Sequence, residues 1–217
     1  MGIDVTESLR RPALVSRVAA WVQAGVAPRA IPARALAWCG GVALVSFVVL
    51  AVAVAFGATL ALDTRLELAM HAHATPVLDV AMEALTLLGT IPVVVAIVLA
   101  GGALLARARR RFEAIALAAL MAGQGVVDDI VKLATHRPRP LLFPHATARG
   151  FSFPSGHAMT TLCLAGALLY LAWPRLSTLL RWAVALVVVA IVAGVGVSRV
   201  DLGVHYPSDV LGGWLAG

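Results

Sequence analysis

The chain has 217 residues, of which 61% are hydrophobic and 13% charged. A soluble domain carries roughly 25% charged residues, and an apolar block such as Leu36–Leu62 is too long for an ordinary buried helix without a polar face. A soluble globular protein is thereby excluded. The net charge of +6 does not point to nucleic acid, because the basic clusters lack interleaved aromatic residues.

Residues 1–35 read as a basic cytoplasmic segment broken by Pro12, Pro28 and Pro32, with Ala13–Ala27 as a candidate interfacial helix. Residues 36–217 read as a six-span, all-α integral membrane bundle. The first span covers Leu36–Leu62, and Asp63–Pro76 is a loop. The second covers Val77–Ala106, with a kink at Gly89 and Pro92. The third covers Phe112–Leu133 and the fourth Ser155–Trp173, with the longest polar connection, 134–154, between them. The fifth covers Trp182–Val197, Ser198–Tyr206 is a polar loop, and the sixth starts at Pro207. The 11 residues from Pro207 to Gly217 reach only about 16 Å at the helical rise, so this span is expected to be truncated. Cys39 and Cys163 sit in apolar blocks as small hydrophobes, without disulfide or metal-ligand spacing. The first apolar block starts too late and runs too long for a cleavable signal peptide.

Lysine and arginine fix the orientation. With the N-terminus inside, the inner loops carry eleven of these residues and the outer side six, which is the positive-inside bias. Both termini are then cytoplasmic. The short loops suit a bacterial inner membrane.

Three polar clusters interrupt this apolar background: Lys132 to Pro140, Phe153 to His157, and Ser198 to Asp209. All fall at span ends on the same outer face, where ionisable groups are costly unless they pair or work. Lys132, Arg139 and Arg199 bring three cations together, which would repel one another unless an anion sat between them. Phosphate fits the guanidinium fork. Pro154-Ser155-Gly156 opens a helix whose free N–H groups also favour an anion. Asp209 follows His205 by four residues, so one helical turn brings its carboxylate to the imidazole and leaves the other ring nitrogen free to attack. In the resulting mechanism His205 is the nucleophile, Asp209 holds its tautomer, and His157 protonates the leaving group and then activates water. Lys132, Arg139, Arg199 and the Ser155 and Gly156 amides stabilise the phosphoryl oxygens. No ligand set for a metal is evident and no cofactor is required.

The series Lys-x6-Arg-Pro, Pro-Ser-Gly-His and Ser-Arg-x5-His-x3-Asp resembles the signature of the type-2 phosphatidic acid phosphatase superfamily. The resemblance implies phosphate contacts from Lys132, Arg139, Ser155, Gly156, His157 and Arg199, a nucleophile at His205 and its partner at Asp209. The span layout extends it over residues 36–217. It implies a lipid phosphate or diphosphate as substrate, first an isoprenyl diphosphate carrier lipid, then phosphatidylglycerophosphate or phosphatidate. An anion transporter and a phosphotransferase are the competing classes. The first predicts pseudo-symmetric halves, which the sequence lacks; the second predicts an acceptor other than water.

Other polar residues carry less weight. Asp128 is placed to steady Lys132. His136 and Arg137 lie off the fixed motif positions, as entrance or headgroup residues. Asp201 bonds Arg199 or is exposed. Asp79 and Glu83 mark a solvated helix end, and His71, His73 and His145 are outer-loop residues. The sequence sets no oligomeric state.

Overall fold

A computed structural model describes residues 33–143 and 148–217. The proposed interfacial helix Ala13–Ala27 and His145 lie outside them. The described residues are helical, without strands: α1 (Ala33–Ala55), α2 (Leu60–His71), α3 (Pro76–Thr86), a 3-10 turn (Leu87–Gly89), α4 (Ile91–Arg107), α5 (Arg111–Thr135), α6 (Gly156–Ala172), α7 (Thr178–Asp201) and α8 (Pro207–Ala216). Four helices are long and apolar enough to cross a membrane, and α3 with α4 form a bent fifth.

The surface is inverted relative to a soluble protein. Trp38, Phe112 and Leu179 are 76%, 87% and 84% exposed, while Asp63, Glu67, Ser152 and Asp209 are buried. Apolar side chains facing outward need a lipid solvent, and the polar ones inside need partners. α7 packs against α3 and α6, α5 joins α4 to α6, and α8 inserts between α1 and α6. Val94 of α4, Leu117 of α5 and Leu164 of α6 meet in the apolar core of this half.

The kink expected in the second span is a bend of 46° between Pro76–Gly89 and Ile91–Arg107. Pro92 lies in the first turn of α4, where its missing N–H breaks no helical bond. Two expectations are corrected. Asp63–Pro76 is not all loop: Leu60–His71 is helical, and Asp63 and Glu67, four residues apart, are its buried face. Such spacing puts two side chains on one side of a helix, and that side meets α7 and α8. The fifth span also runs further, to Asp201, so Ser198, Arg199 and Asp201 belong to the helix and the loop is only Leu202–Tyr206. Asp201 is buried, not exposed. The last helix, α8, has 10 residues, so six full-length spans are not seen among the described residues.

Candidate active site

The three polar clusters converge on one cavity of about 720 Å³. Its polar end is lined by Lys132, Arg139, Gly156, His157, Arg199 and His205. The same cavity continues along Ile91, Val94, Val95, Val98, Leu99 and Met121, between α4 and α5. Ile91, Val95 and Leu99 are 79%, 47% and 67% exposed, so this apolar groove opens sideways through the outer face of the bundle.

His205 sits in the loop between α7 and α8, whose start is fixed by Arg199 O accepting from the N–H groups of Val204 and His205. His205 Nδ1 lies 3.4 Å from Asp209 Oδ2, and Arg139 Nη1 lies 3.1 Å from Nε2. A guanidinium only donates, so Nε2 is the lone-pair nitrogen and Nδ1 carries the proton toward Asp209. Burial pushes the His205 pKa down to about 4, against the pull of Asp209 upward. The imidazole is therefore neutral at pH 7, with the cavity-facing nitrogen unprotonated. Burial likewise lowers the Arg139 pKa, with Asp209 and Asp128 opposing the shift.

Asp209 is held on every side. As the third residue of α8 it accepts from Tyr206 N–H at 2.8 Å, capping the helix. Ser152 Oγ donates to the same carboxylate oxygen. The other oxygen accepts from Arg137 Nη1 at 2.5 Å. Arg137 also donates to Ser208 Oγ at 2.7 Å and to Asp63 Oδ2 at 2.6 Å, and lies over the Tyr206 ring at 4.2 Å. Asp63 accepts in turn from Ser208 N–H at 2.9 Å. The α2 helix thus reaches the loop that carries His205 through a buried Asp63–Arg137–Asp209 chain. His136, at φ 48°, ends α5 in the left-handed region and turns the chain so that Arg137 points inward. Arg137 is only 8% exposed and does not line the cavity, so its expected place at the entrance is corrected.

The cations are placed by different elements. Lys132 pairs with Asp128 on α5, as its spacing predicts. Arg139 is braced by the carbonyls of Arg149, Gly150, Phe151 and Val204 at 2.7–3.2 Å. Arg199 donates to Thr86 Oγ1 at 2.6 Å, linking α7 to the end of α3. A Cβ on Gly156 would lie 2.9 Å from Asp128 Oδ2 and 3.3 Å from Lys132 Nζ, so only glycine keeps this corner open. A Cβ on Gly89 would lie 2.7 Å from His157 Cδ2. The bend of the second span is thus the seat of His157.

The backbone amide of Ser155 departs from expectation, while its buried Oγ has no protein partner among the described residues. The residue is fully buried, and its N–H donates to Asp209 O at 2.9 Å, so this amide is not free to meet an anion. It ties α6 to α8 instead. His71 Nδ1 and His73 Nδ1 lie 3.0 Å from carbonyls one turn back on or beside α2. Asp63, Ser152, Thr86 and Gly89 were not singled out as site residues by the sequence, and Arg137 was placed only at the entrance or on a headgroup. A helical reading of 60–71 would have put Asp63 and Glu67 on one face, and the Gly-Thr-Ile-Pro run marks the bend. Ser152 carries no such signal.

Comparison with known proteins accords with this geometry. The PAP2 superfamily model matches residues 113–217. Phosphatidylglycerophosphatase B of Bacillus subtilis (strain 168) is 29% identical over 173 residues, covering 79% of this chain and 85% of that protein. The crystal structure of a transmembrane PAP2 type phosphatidylglycerolphosphate phosphatase from Bacillus subtilis superposes with a TM-score of 0.77 at 27% identity, covering 82% of this chain and 90% of that one. An Escherichia coli (strain K12) protein named "Putative undecaprenyl-diphosphatase YbjG" is 47% identical over 66 residues, 30% of this chain and 29% of that one.

Proposed function

We propose that the chain is a PAP2-type phosphate ester hydrolase of membrane lipids, in keeping with the relatives it matches, and that it works through a phosphohistidine on His205. The observation that carries this reading is the single cavity joining His205, His157 and three cations to an apolar groove. The groove takes a hydrocarbon chain from the bilayer while the polar end takes its phosphate.

In the first step the Nε2 lone pair of His205 attacks phosphorus. The bond to the leaving oxygen breaks, and His157 delivers a proton to that oxygen. Arg139 leaves Nε2 for a phosphoryl oxygen as the phosphate enters. Asp209 accepts from Nδ1–H and stabilises the imidazolium that forms. In the second step His157 takes a proton from water, whose oxygen attacks phosphorus and frees Nε2. Lys132, Arg139, Arg199 and the glycine corner at Gly156 hold the equatorial oxygens, whose charge stays high throughout. These side chains supply the positive charge directly, so the reaction runs without a metal.

The candidate substrates are phosphatidylglycerophosphate, named by the relatives that match most of the chain, and an isoprenyl diphosphate, named by a relative that matches a shorter stretch at higher identity. The inward N-terminus and outward site remain part of the proposal, resting on the arginine distribution, as does a bacterial inner membrane as its place. The test is phosphate release from a panel of both lipid types and phosphatidate, in detergent, with chelator present. Release from at least one lipid that survives the chelator is expected. Release that stops with the chelator and returns with a divalent metal contradicts the mechanism. Transport without hydrolysis contradicts the function.

A further inference from the structure

Among the polar side chains that line the cavity, Gln124 and Thr160 form a pair that the phosphoryl chemistry above does not use. Gln124 of α5 and Thr160 of α6 both face it, and Thr160 Oγ1 donates to Gln124 Oε1 at 3.2 Å. Gln124 lies one turn from Asp128, the partner of Lys132, and Thr160 lies one turn from Gly156. A turn rises about 5.4 Å. The pair therefore forms a polar rung about that far below the cations, where the walls become Val94, Val98 and Met121.

With Oε1 accepting from Thr160, the two amide N–H donors of Gln124 have no protein acceptor among the described residues. A Gln–Thr bond between helices is ordinary glue in a bilayer, but glue leaves no donors idle. Idle donors at the edge of an apolar groove are costly unless an occupant satisfies them.

The two candidate lipid classes differ at this depth. Where a glycerol unit follows the scissile phosphate, a hydroxyl, phosphodiester or ester oxygen lies about four or five bonds beyond phosphorus, at most roughly 6–7.5 Å at about 1.5 Å per bond. An isoprenyl phosphate or diphosphate presents only hydrocarbon there. We infer that Gln124 and Thr160 read this oxygen and select glycerol-based lipid phosphates over isoprenyl ones. The inference rests on the lipid phosphatase reading above and names its substrate class.

The experiment compares kcat/KM for phosphatidylglycerophosphate and for a long-chain isoprenyl diphosphate, in the wild type, Gln124→Leu, Thr160→Val and the double variant. Taking the ratio of the two substrates cancels any loss of folded enzyme. The wild type is expected to favour the glycerol lipid, and the ratio to fall about 10–100-fold in the double variant, as one or two hydrogen bonds require. Gln124→Asn, which keeps the amide but draws it back, should give an intermediate ratio. A ratio that does not move overturns the rung and leaves the phosphatase reading standing. A wild type that favours the isoprenyl substrate, with the ratio unmoved in the variants, overturns the selection as well. A wild type that releases phosphate from neither lipid overturns both readings.

Discussion

Replacing Arg137 with Leu should do more damage than any cavity-lining cation, although Arg137 does not line the cavity. Among the described residues its guanidinium is the one positive group bonded to both Asp63 and Asp209, at 2.6 and 2.5 Å. Both carboxylates are buried. Removing one partner of a buried ion pair costs about 3–5 kcal/mol, because the remaining charge stays buried without compensation. Here two like charges are left facing each other. Whatever part of that cost falls on the placement of Asp209 slows the chemistry at about 1.36 kcal/mol per decade, so kcat should drop on the order of 10²–10³. Arg137→Lys keeps the charge but not the fork that reaches both sides, and should rescue only in part. Adding Asp63→Asn to Arg137→Leu removes one of the stranded charges and should return about 0.5–3 kcal/mol, the coupling expected of contacting groups. The assay is a detergent unfolding titration read beside kcat. Wild-type kcat and an unchanged midpoint in Arg137→Leu would refute the reasoning.

Three further outcomes follow from the geometry. Gly89→Val should push His157 aside, since even a Cβ there meets its ring at 2.7 Å; kcat should fall at least about tenfold, a misplacement effect, with KM changed less, in steady-state kinetics. Thr86→Val should free Arg199 from its 2.6 Å bond and raise KM several-fold, with a hydrogen bond to a charged group at stake. The third concerns pH. Burial lowers the His205 pKa from 6.5 to about 4, so the folded state favours neutral imidazole. The corresponding stability is full above pH 6.5 and is lost as pH falls toward 4. If His205 is the proposed nucleophile, the acid limb of kcat/KM that reports it should accordingly lie well below 6.5. A His205 inflection at or above 6.5 would contradict this placement.

Much of the bundle was legible because lipid demands long apolar runs, and such runs have few alternative explanations. The bend at Gly89 and Pro92 was legible for the same reason: few residue types disrupt a span. The motif residues Lys132, Arg139, His157, Arg199, His205 and Asp209 stood out as charges without a solvent. What escaped was polar sequence that looked solvated. Asp63, Arg65, Glu67 and His71 read as a loop, yet Asp63 and Glu67 turn inward. Arg137 stands two residues from Arg139 and looked like its lesser neighbour; the left-handed turn at His136 sends the two guanidiniums to opposite sides of Asp209's dyad. The Ser155 amide looked available because a helix N-terminus suggests free donors, and only the packing of α6 on α8 shows that Asp209 O already takes it.

The covalent step is the centre of the account. Brief incubation with a lipid substrate carrying labelled phosphate, quenched in alkali, should leave label on the protein, and peptide mapping should place it on His205. The label should be acid-labile and alkali-stable, as a phosphoramidate is, and absent in His205→Ala. Label on another residue, or undiminished turnover in His205→Ala, would contradict it.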